Sequence, residues 1–224
     1  MNWFKTVAGK NLLEFEKDII DRFLEEMFGF YALQLSDCDI NFLENSRIKN
    51  YIYSNGPYKN ISFNEDQLPF DSDSIDLVLC LHVFEKITNS KDFIDDLFRV
   101  ILPGGYVIIS AFNPNSFAGM RNYFAFDNNF PWNTKFIRMQ RMQKLLKNTG
   151  FTLIEGSVSH FQSIFFDKKF SFNKKFENIG NRWFPLLGNI YFVVAQKRIT
   201  KLLPIKLQFE GLKKPGIVIN KNYD

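Results

Sequence analysis

Two apolar strands separated by one short helix are the feature of this sequence that most restricts its fold. Residues 75–81 form an almost continuous apolar run, which is typical of a strand buried on both faces of a sheet. Residues 91–101 carry apolar side chains at helical spacing, and Asn89 or Ser90 before them can cap a helix. Residues 106–112 are a second apolar run, so the segment predicts a βαβ unit with a right-handed crossover.

The flanking segments extend this unit into a larger sheet. Residues 8–27 carry an amphipathic pattern that predicts a helix, with Glu16 and other charged side chains on the face away from the core. The other predicted elements are strands at residues 31–35, 47–54, 58–64, 151–158 and 190–195 and a helix at 136–148. Alternating elements of this kind predict a doubly wound α/β sheet, whose ligands bind at the carboxyl ends of the strands.

Composition excludes several classes of protein. Cys38 and Cys80 match no metal-binding or disulfide spacing, which excludes zinc modules and disulfide scaffolds and favours a cytoplasmic location. No apolar run approaches the roughly 20 residues of a membrane-spanning helix, so no transmembrane segment is expected. Phenylalanine is unusually frequent, at 27 of 224 residues, and we attribute most of this excess to drift toward A/T-rich codons.

The segment around the βαβ unit carries a combination of motifs. They are Leu-Pro-Phe at 68–70, Ser-Ile-Asp-Leu-Val at 74–78, His-Val-Phe-Glu at 82–85 and Arg-Val-Ile-Leu-Pro-Gly-Gly at 99–105. In this order and spacing they resemble class I S-adenosylmethionine-dependent methyltransferases of the type 11 subfamily. The resemblance covers about residues 61–112. It implies a Rossmann-like methyltransferase sheet, mostly parallel with an antiparallel last strand, and S-adenosylmethionine as the cofactor.

The resemblance also implies where the cofactor and the methyl acceptor bind. The cofactor-binding residues implied in this way are Leu35, Ser36, Asp37, Asn64, Glu65, Leu81 and His82. Asn64 occupies the position from which family members receive the adenine amino group, and an Asn carbonyl can accept that hydrogen bond. Asn113 and Ser116, in the loop after residues 106–112, are implied on the acceptor side. No catalytic residue and no metal ligand is assigned.

The turn after the first strand departs from the family. Family members have a glycine-rich loop there, whose amides approach the cofactor carboxylate. Here Ser36-Asp37-Cys38-Asp39 follow the strand, and no glycine occurs between Gly29 and Gly56. The segment 36–64 is also short for two strands and two crossover helices, so the first half of the sheet is expected to be shortened.

This departure leaves three functions open. The first is an S-adenosylmethionine-dependent methyltransferase that acts on a small molecule. The second is a methyltransferase-fold protein that has lost catalysis and serves binding or regulation. The third is an RNA methyltransferase, because basic and aromatic residues are interleaved at 166–176 and the tail is basic.

A single methyltransferase-like domain is expected over residues 1–198, followed by a basic extended tail over 199–224. Within the domain, residues 160–188 are too long for a plain connection and form an insertion or lid. The expected partner is a small-molecule methyl acceptor. Nucleic acid or a membrane surface would contact the aromatic and basic side chains of the insertion.

Overall fold

Six strands form one sheet in the part of the chain that the computed structural model describes, namely residues 3–36, 38, 40–54, 67–124, 134–159 and 188–198. The strands are β1 (Tyr31–Ser36), β2 (Asn50–Tyr53), β3 (Ile75–Leu81), β4 (Ile101–Phe112), β5 (Phe151–Ser159) and β6 (Ile190–Lys197). The helices are α1 (Val7–Leu24), α2 (Ser90–Val100), α3 (Phe117–Phe124) and α4 (Met139–Thr149), and a 3-10 turn at Trp3–Lys5 precedes α1.

The strands follow the spatial order β2-β1-β3-β4-β6-β5. β1 pairs in parallel with both β2 and β3, and β3 pairs in parallel with β4. β6 lies between β4 and β5 and is antiparallel to both. This arrangement confirms the predicted doubly wound sheet with an antiparallel last strand. The strand predicted at 58–64 lies outside the described residues.

The βαβ unit is built as the sequence predicts, with one correction. The Asn89 side chain caps α2 and accepts hydrogen bonds from the backbone amides of Lys91 and Asp92. β4 begins at Ile101, immediately after α2, so the Pro-Gly-Gly segment lies inside the strand and does not separate it from the helix.

Asp76 fixes the amino end of the sheet. Its Oδ2 accepts hydrogen bonds from the amides of Phe30 and Tyr31, at 2.9 and 3.0 Å. A Cβ atom on Gly105 would come within 2.7 Å of the Asp76 carbonyl oxygen. These contacts give Asp76 a structural role at the start of β3.

Helices cover both faces of the sheet and create two apolar layers. α1 packs on the face that includes Leu77, Leu79 and Ile108, whereas α2 and α4 pack on the face that includes Val78, Cys80 and Ile109. The buried stripe of α1 consists of Gly9, Leu12, Leu13, Glu16, Ile20 and Leu24. The placement of Glu16 on the solvent face was therefore wrong, because its side chain has no exposed area.

The segment after β4 also differs from the prediction. The loop expected at 113–117 is present at 113–116, and the helix that follows it, α3 from Phe117, was not predicted. Among the described residues, no helix is both long enough and apolar enough to cross a lipid bilayer.

Candidate active site

The carboxyl ends of β1, β3 and β4 meet at one edge of the sheet. Ser36 at the end of β1 pairs with Leu81 of β3, and Leu81 pairs with Ser110 of β4. From β1 the chain runs outward to β2 on one side and returns to β3 on the other, so the strand order reverses between β1 and β3. In open α/β sheets, the crevice at such a reversal is where ligands bind.

His82 is the first residue beyond β3 at this reversal point. Its backbone has a φ of +53°, which is uncommon for a residue with a side chain. Its buried ring lies against Phe4 and Phe112, with centroid distances of 5.1 and 4.3 Å. Aromatic side chains therefore exclude water from the imidazole.

Two glutamates hold the His82 ring from opposite sides. His82 Nε2 lies 3.0 Å from Glu16 Oε1, which comes from α1, and His82 Nδ1 lies 3.2 Å from Glu85 Oε1. Glu16 Oε1 also accepts a hydrogen bond from the Ser110 hydroxyl. Glu85 Oε1 accepts one from the Phe112 amide at 2.7 Å. We call Glu16, His82 and Glu85 the Glu-His-Glu cluster.

The cluster carries a net negative charge. Burial by itself would lower the pKa of His82, but the charges and hydrogen bonds of Glu16 and Glu85 outweigh it and raise the pKa to about 10. The imidazole is therefore protonated at neutral pH. One imidazolium between two carboxylates leaves about one unit of negative charge in the protein interior.

The cluster also contains polar atoms that are not satisfied by the described residues. Glu16 Oε2, Glu85 Oε2 and the Tyr191 hydroxyl are buried and have no hydrogen-bond partner among them. Burial, and to a smaller extent the charge of Glu85, raise the pKa of Tyr191 well above its usual value. Tyr191 on β6 is thus within electrostatic reach of Glu85. Buried polar atoms without partners are rare in folded proteins, so this group calls for a functional explanation.

The side chain of Gln34 organises the connection that follows β1. Its amide nitrogen donates to the Ile40 carbonyl at 2.8 Å and to Ser36 Oγ at 3.1 Å, while its oxygen accepts from the Phe42 amide at 2.9 Å. The described residues 40–49 form no helix. Among the described residues between β1 and β2, no helix N-terminus is therefore available, which is the usual backbone site for an anion.

Cys38 connects this turn to the cluster. Burial is the main cause that raises the pKa of Cys38 to about 11, and the charge of Glu16 adds to the increase. Burial also raises the pKa of Cys80 in β3. Both thiols are free, buried and protonated at neutral pH, so neither is a nucleophile in the folded chain.

Comparison with known proteins decides the family. The profile of the methyltransferase domain family matches residues 5–156, which is more than half of the chain. The chain belongs to the methyltransferase domain family. The resemblance to class I S-adenosylmethionine-dependent methyltransferases is thereby confirmed, and the type 11 subfamily is consistent with the match. The cofactor of this methyltransferase class is S-adenosylmethionine, as the resemblance implied.

Two curated proteins are similar to this chain in sequence. The uncharacterized protein YafS of Escherichia coli is 25% identical over 182 residues, which cover 79% of this chain and 72% of YafS. A probable S-adenosylmethionine-dependent methyltransferase of Mycolicibacterium smegmatis is 28% identical over 88 residues, or 39% of this chain and 33% of that protein.

A crystal structure of a protein from Thermotoga maritima is similar to this chain in fold. That protein is an S-adenosylmethionine-dependent methyltransferase described as a possible histamine N-methyltransferase. The two structures superpose with a TM-score of 0.59, covering 86% of this chain and 99% of the other at 14% sequence identity. At this identity the likeness establishes the shared fold.

The structure brings some of the predicted site residues together. Leu35, Ser36, Leu81 and His82 all lie at the carboxyl ends of β1 and β3. Asp37, Asn64 and Glu65 lie outside the described residues, so their assignment stays a prediction. Glu16, Ser110 and Tyr191 were not predicted. A charged residue at position 16, four residues from Leu12 and from Ile20 in the apolar stripe of α1, was the signal available in the sequence.

The residues predicted on the acceptor side make local hydrogen bonds. Asn113 Nδ2 donates to the Gly188 carbonyl at 2.9 Å, and its own amide donates to the Asn189 carbonyl at 2.8 Å. The Ser116 hydroxyl donates to the Asn113 carbonyl at 2.6 Å and accepts from the Gly119 amide at 3.2 Å. These bonds shape the start of α3 and join it to the beginning of β6.

The described residues fit the cationic part of S-adenosylmethionine. Its sulfonium and ammonium groups are positive, and the unsatisfied oxygens of Glu16 and Glu85 lie beside the reversal point. Its carboxylate requires donors, and here the Ser36 amide already donates to Ser54 Oγ at 3.3 Å. Within the described ranges, no three His, Cys, Asp or Glu side chains form a group that could hold a metal ion.

Proposed function

We propose that this chain is an S-adenosylmethionine-dependent methyltransferase that acts on a small molecule. The observation that carries the proposal is the buried, negatively charged cluster at the reversal point of a sheet of this family. When bound, S-adenosylmethionine supplies a methyl group on a positively charged sulfur. The chain has to bind and orient S-adenosylmethionine and the acceptor and to exclude water. Proximity and a dry site supply most of the rate acceleration for a displacement at carbon.

The residues at the edge of the sheet support these roles. Trp3 and Phe4 pack against Phe112 and His82 and keep water away from the ends of β3 and β4. Glu16 and Glu85 hold the imidazolium of His82 and provide negative charge next to it. We propose that Ser36, Leu81 and His82, together with Leu35, Asp37, Asn64 and Glu65, surround the cofactor. Asn113 and Ser116 are proposed to shape the acceptor side through the turn that they stabilise.

Calorimetry tests the proposal directly. The full chain should bind S-adenosylmethionine or S-adenosylhomocysteine with a measurable heat, and no binding at millimolar ligand would overturn the proposal. The acceptor class is then tested by S-adenosylhomocysteine release in two separate mixtures, one of small metabolites and one of total RNA. Release with the small molecules alone supports our proposal, whereas release with RNA alone would favour an RNA methyltransferase.

A protein of this fold that binds without catalysis is the second candidate. The connection after β1 favours it, because Gln34 holds a turn that contains neither glycine nor a helix in the described residues 40–49. This candidate predicts no binding of S-adenosylmethionine, so the same titration separates the two. The RNA alternative depends on residues 166–176 and the tail, which lie outside the described residues.

A further inference from the structure

The Glu-His-Glu cluster faces both strands that border the reversal point. Glu16 contacts His82 directly after β3, and its charge reaches Cys38 shortly after β1. Glu85 reaches the end of β4 through the Phe112 amide. A ligand in the crevice between β1 and β3 is therefore exposed to a negative field from the protein interior. Because the surroundings are buried, that field is weakly screened by solvent.

The unsatisfied atoms of the cluster are independent evidence for a ligand. Each glutamate keeps one oxygen without a partner among the described residues, and the hydroxyl of Tyr191 is also left without one. The hydroxyl is the only polar atom of the Tyr191 side chain, and it is buried next to the charge of Glu85. Two acceptors and a hydroxyl in such a position suit a cationic group.

We infer that the Glu-His-Glu cluster makes this site recognise the positive charge of the methyl donor and bind the donor more tightly than its demethylated product. The inference rests on the proposed function. S-adenosylmethionine and S-adenosylhomocysteine differ by one methyl group and by one unit of positive charge on sulfur. A buried negative charge therefore stabilises bound S-adenosylmethionine more than bound S-adenosylhomocysteine. Glu16 and Glu85 are specificity-determining residues in this scheme.

The expected preference can be bounded from Coulomb's law. Charges in an interior with an effective dielectric constant of about 20 interact about four times as strongly as they do in bulk water, so the charge on sulfur affects the binding constant. We therefore expect the wild-type chain to bind S-adenosylmethionine at least about tenfold more tightly than S-adenosylhomocysteine. Shape alone predicts much less, because the two ligands share every other group.

The test is a calorimetric titration of the full chain with each ligand separately. Glu16→Gln removes one negative charge and keeps the side-chain size, and it should reduce the preference about tenfold by weakening binding of S-adenosylmethionine. Glu14→Gln is the matched control, because Glu14 is exposed on the same helix and its removal should leave the preference unchanged. If Glu16→Gln fails to fold, Glu85→Gln should reduce the preference for S-adenosylmethionine in the same way. The preference of the wild-type chain is a further test that needs no variant.

The possible outcomes separate this inference from the proposed function. Equal binding of the two ligands by the wild-type chain, or tighter binding of S-adenosylhomocysteine, would overturn the inference and leave the proposed function in place. A preference that persists unchanged in a folded Glu16→Gln variant would also overturn it. Absence of binding by both ligands would overturn the proposed function itself.

Discussion

The proton on His82 makes the stability of the folded chain depend on pH. Burial alone would lower the pKa of His82, yet Glu16 and Glu85 raise it from 6.5 to about 10. Because the folded chain holds the proton more tightly than the unfolded chain, this contribution is complete below pH 6.5 and is lost as the pH rises toward 10. We expect the free energy of unfolding, measured by urea titration, to decrease between about pH 7 and 9.

The variant His82→Asn isolates this contribution. Asn tolerates positive φ, so the backbone at this position is preserved while the charge is lost. Removing one partner of a buried ion pair costs about 3–5 kcal/mol, and we expect a loss of this order at pH 7. The decrease with pH should then be smaller than in the wild-type chain. A wild-type stability that stays level over this range would contradict a protonated His82.

Glu16 shows where residue-scale prediction fails. The periodicity predicts the helix α1 correctly. The charge of Glu16 suggests the solvent face, whereas its position in the periodicity places it in the buried stripe, and the prediction made from charge is wrong. Its partners, His82 and Ser110, are 66 and 94 residues away in the sequence. No local pattern indicates such a pairing. An acidic residue inside an otherwise apolar stripe was the available sign of a buried charge.

At the scale of elements, Gln34 replaces the hydrogen bonds that a regular connection would make. Its amide satisfies the Ile40 carbonyl and the Phe42 amide in the turn after β1. Gln34→Met keeps the size of the side chain and leaves both groups unpaired. Since each unpaired buried group costs roughly 1–3 kcal/mol, we expect a loss of about 3 kcal/mol in the free energy of unfolding.

The matched control is Gln196→Met in β6. The Gln196 amide also donates to a backbone carbonyl, that of Gly104 at 2.8 Å, but this bond lies at the surface. Its removal should cost less than about 1 kcal/mol in the same urea titration, because water replaces the lost donor. Similar losses in the two variants would show that the turn does not depend on Gln34.

The elements that could be predicted are those with a strong apolar period. Such patterns predict α2, α4, β3, β5 and β6, together with the cap at Asn89. α3 was missed, because Asn113 and Pro114 suggest a turn that continues as a loop. In the structure, Ser116 accepts a hydrogen bond from the Gly119 amide and begins a helix there. The sequence around Ser116 suits a helix cap and a turn equally well, so the sequence alone does not predict the helix.

At the scale of the whole molecule, ligand binding should appear as thermal stabilisation. A tenfold difference in affinity corresponds to about 1.4 kcal/mol of added stability at equal, saturating ligand concentrations. For a chain of this size, each kcal/mol raises the midpoint by about 2–4 °C. We therefore expect S-adenosylmethionine to raise the melting temperature about 3–6 °C more than S-adenosylhomocysteine does.

Thermal unfolding of Glu16→Gln completes this measurement. The extra stabilisation by S-adenosylmethionine should fall to about 2 °C or less in this variant. In Glu14→Gln it should match the wild-type value, since Glu14 is exposed. Equal shifts by the two ligands in the wild-type chain would speak against recognition of the sulfonium charge.

The fold of the whole molecule was predictable because its motifs and its order of elements agree. The motif-bearing segment at 61–112 contains β3, α2 and β4, which form the centre of the sheet. The candidate site was predictable only in part. Leu35, Ser36, Leu81 and His82 follow from strand ends, whereas the charged partners of His82 come from α1 and from the turn after β3. Their convergence depends on packing across the sheet.

The members of the cluster are far apart in the sequence, so they are synthesised at different times. Glu16 is made early, but its partners His82 and Ser110 follow 66 and 94 residues later. Until residue 82 has left the ribosome, neither of these partners is available to the carboxylate, and until β4 follows, the apolar stripe of α1 has an incomplete sheet to cover. The first helix therefore cannot pack fully until the middle of the chain has been synthesised. A ribosome that stalls before β4 leaves the apolar stripe of α1 exposed to solvent.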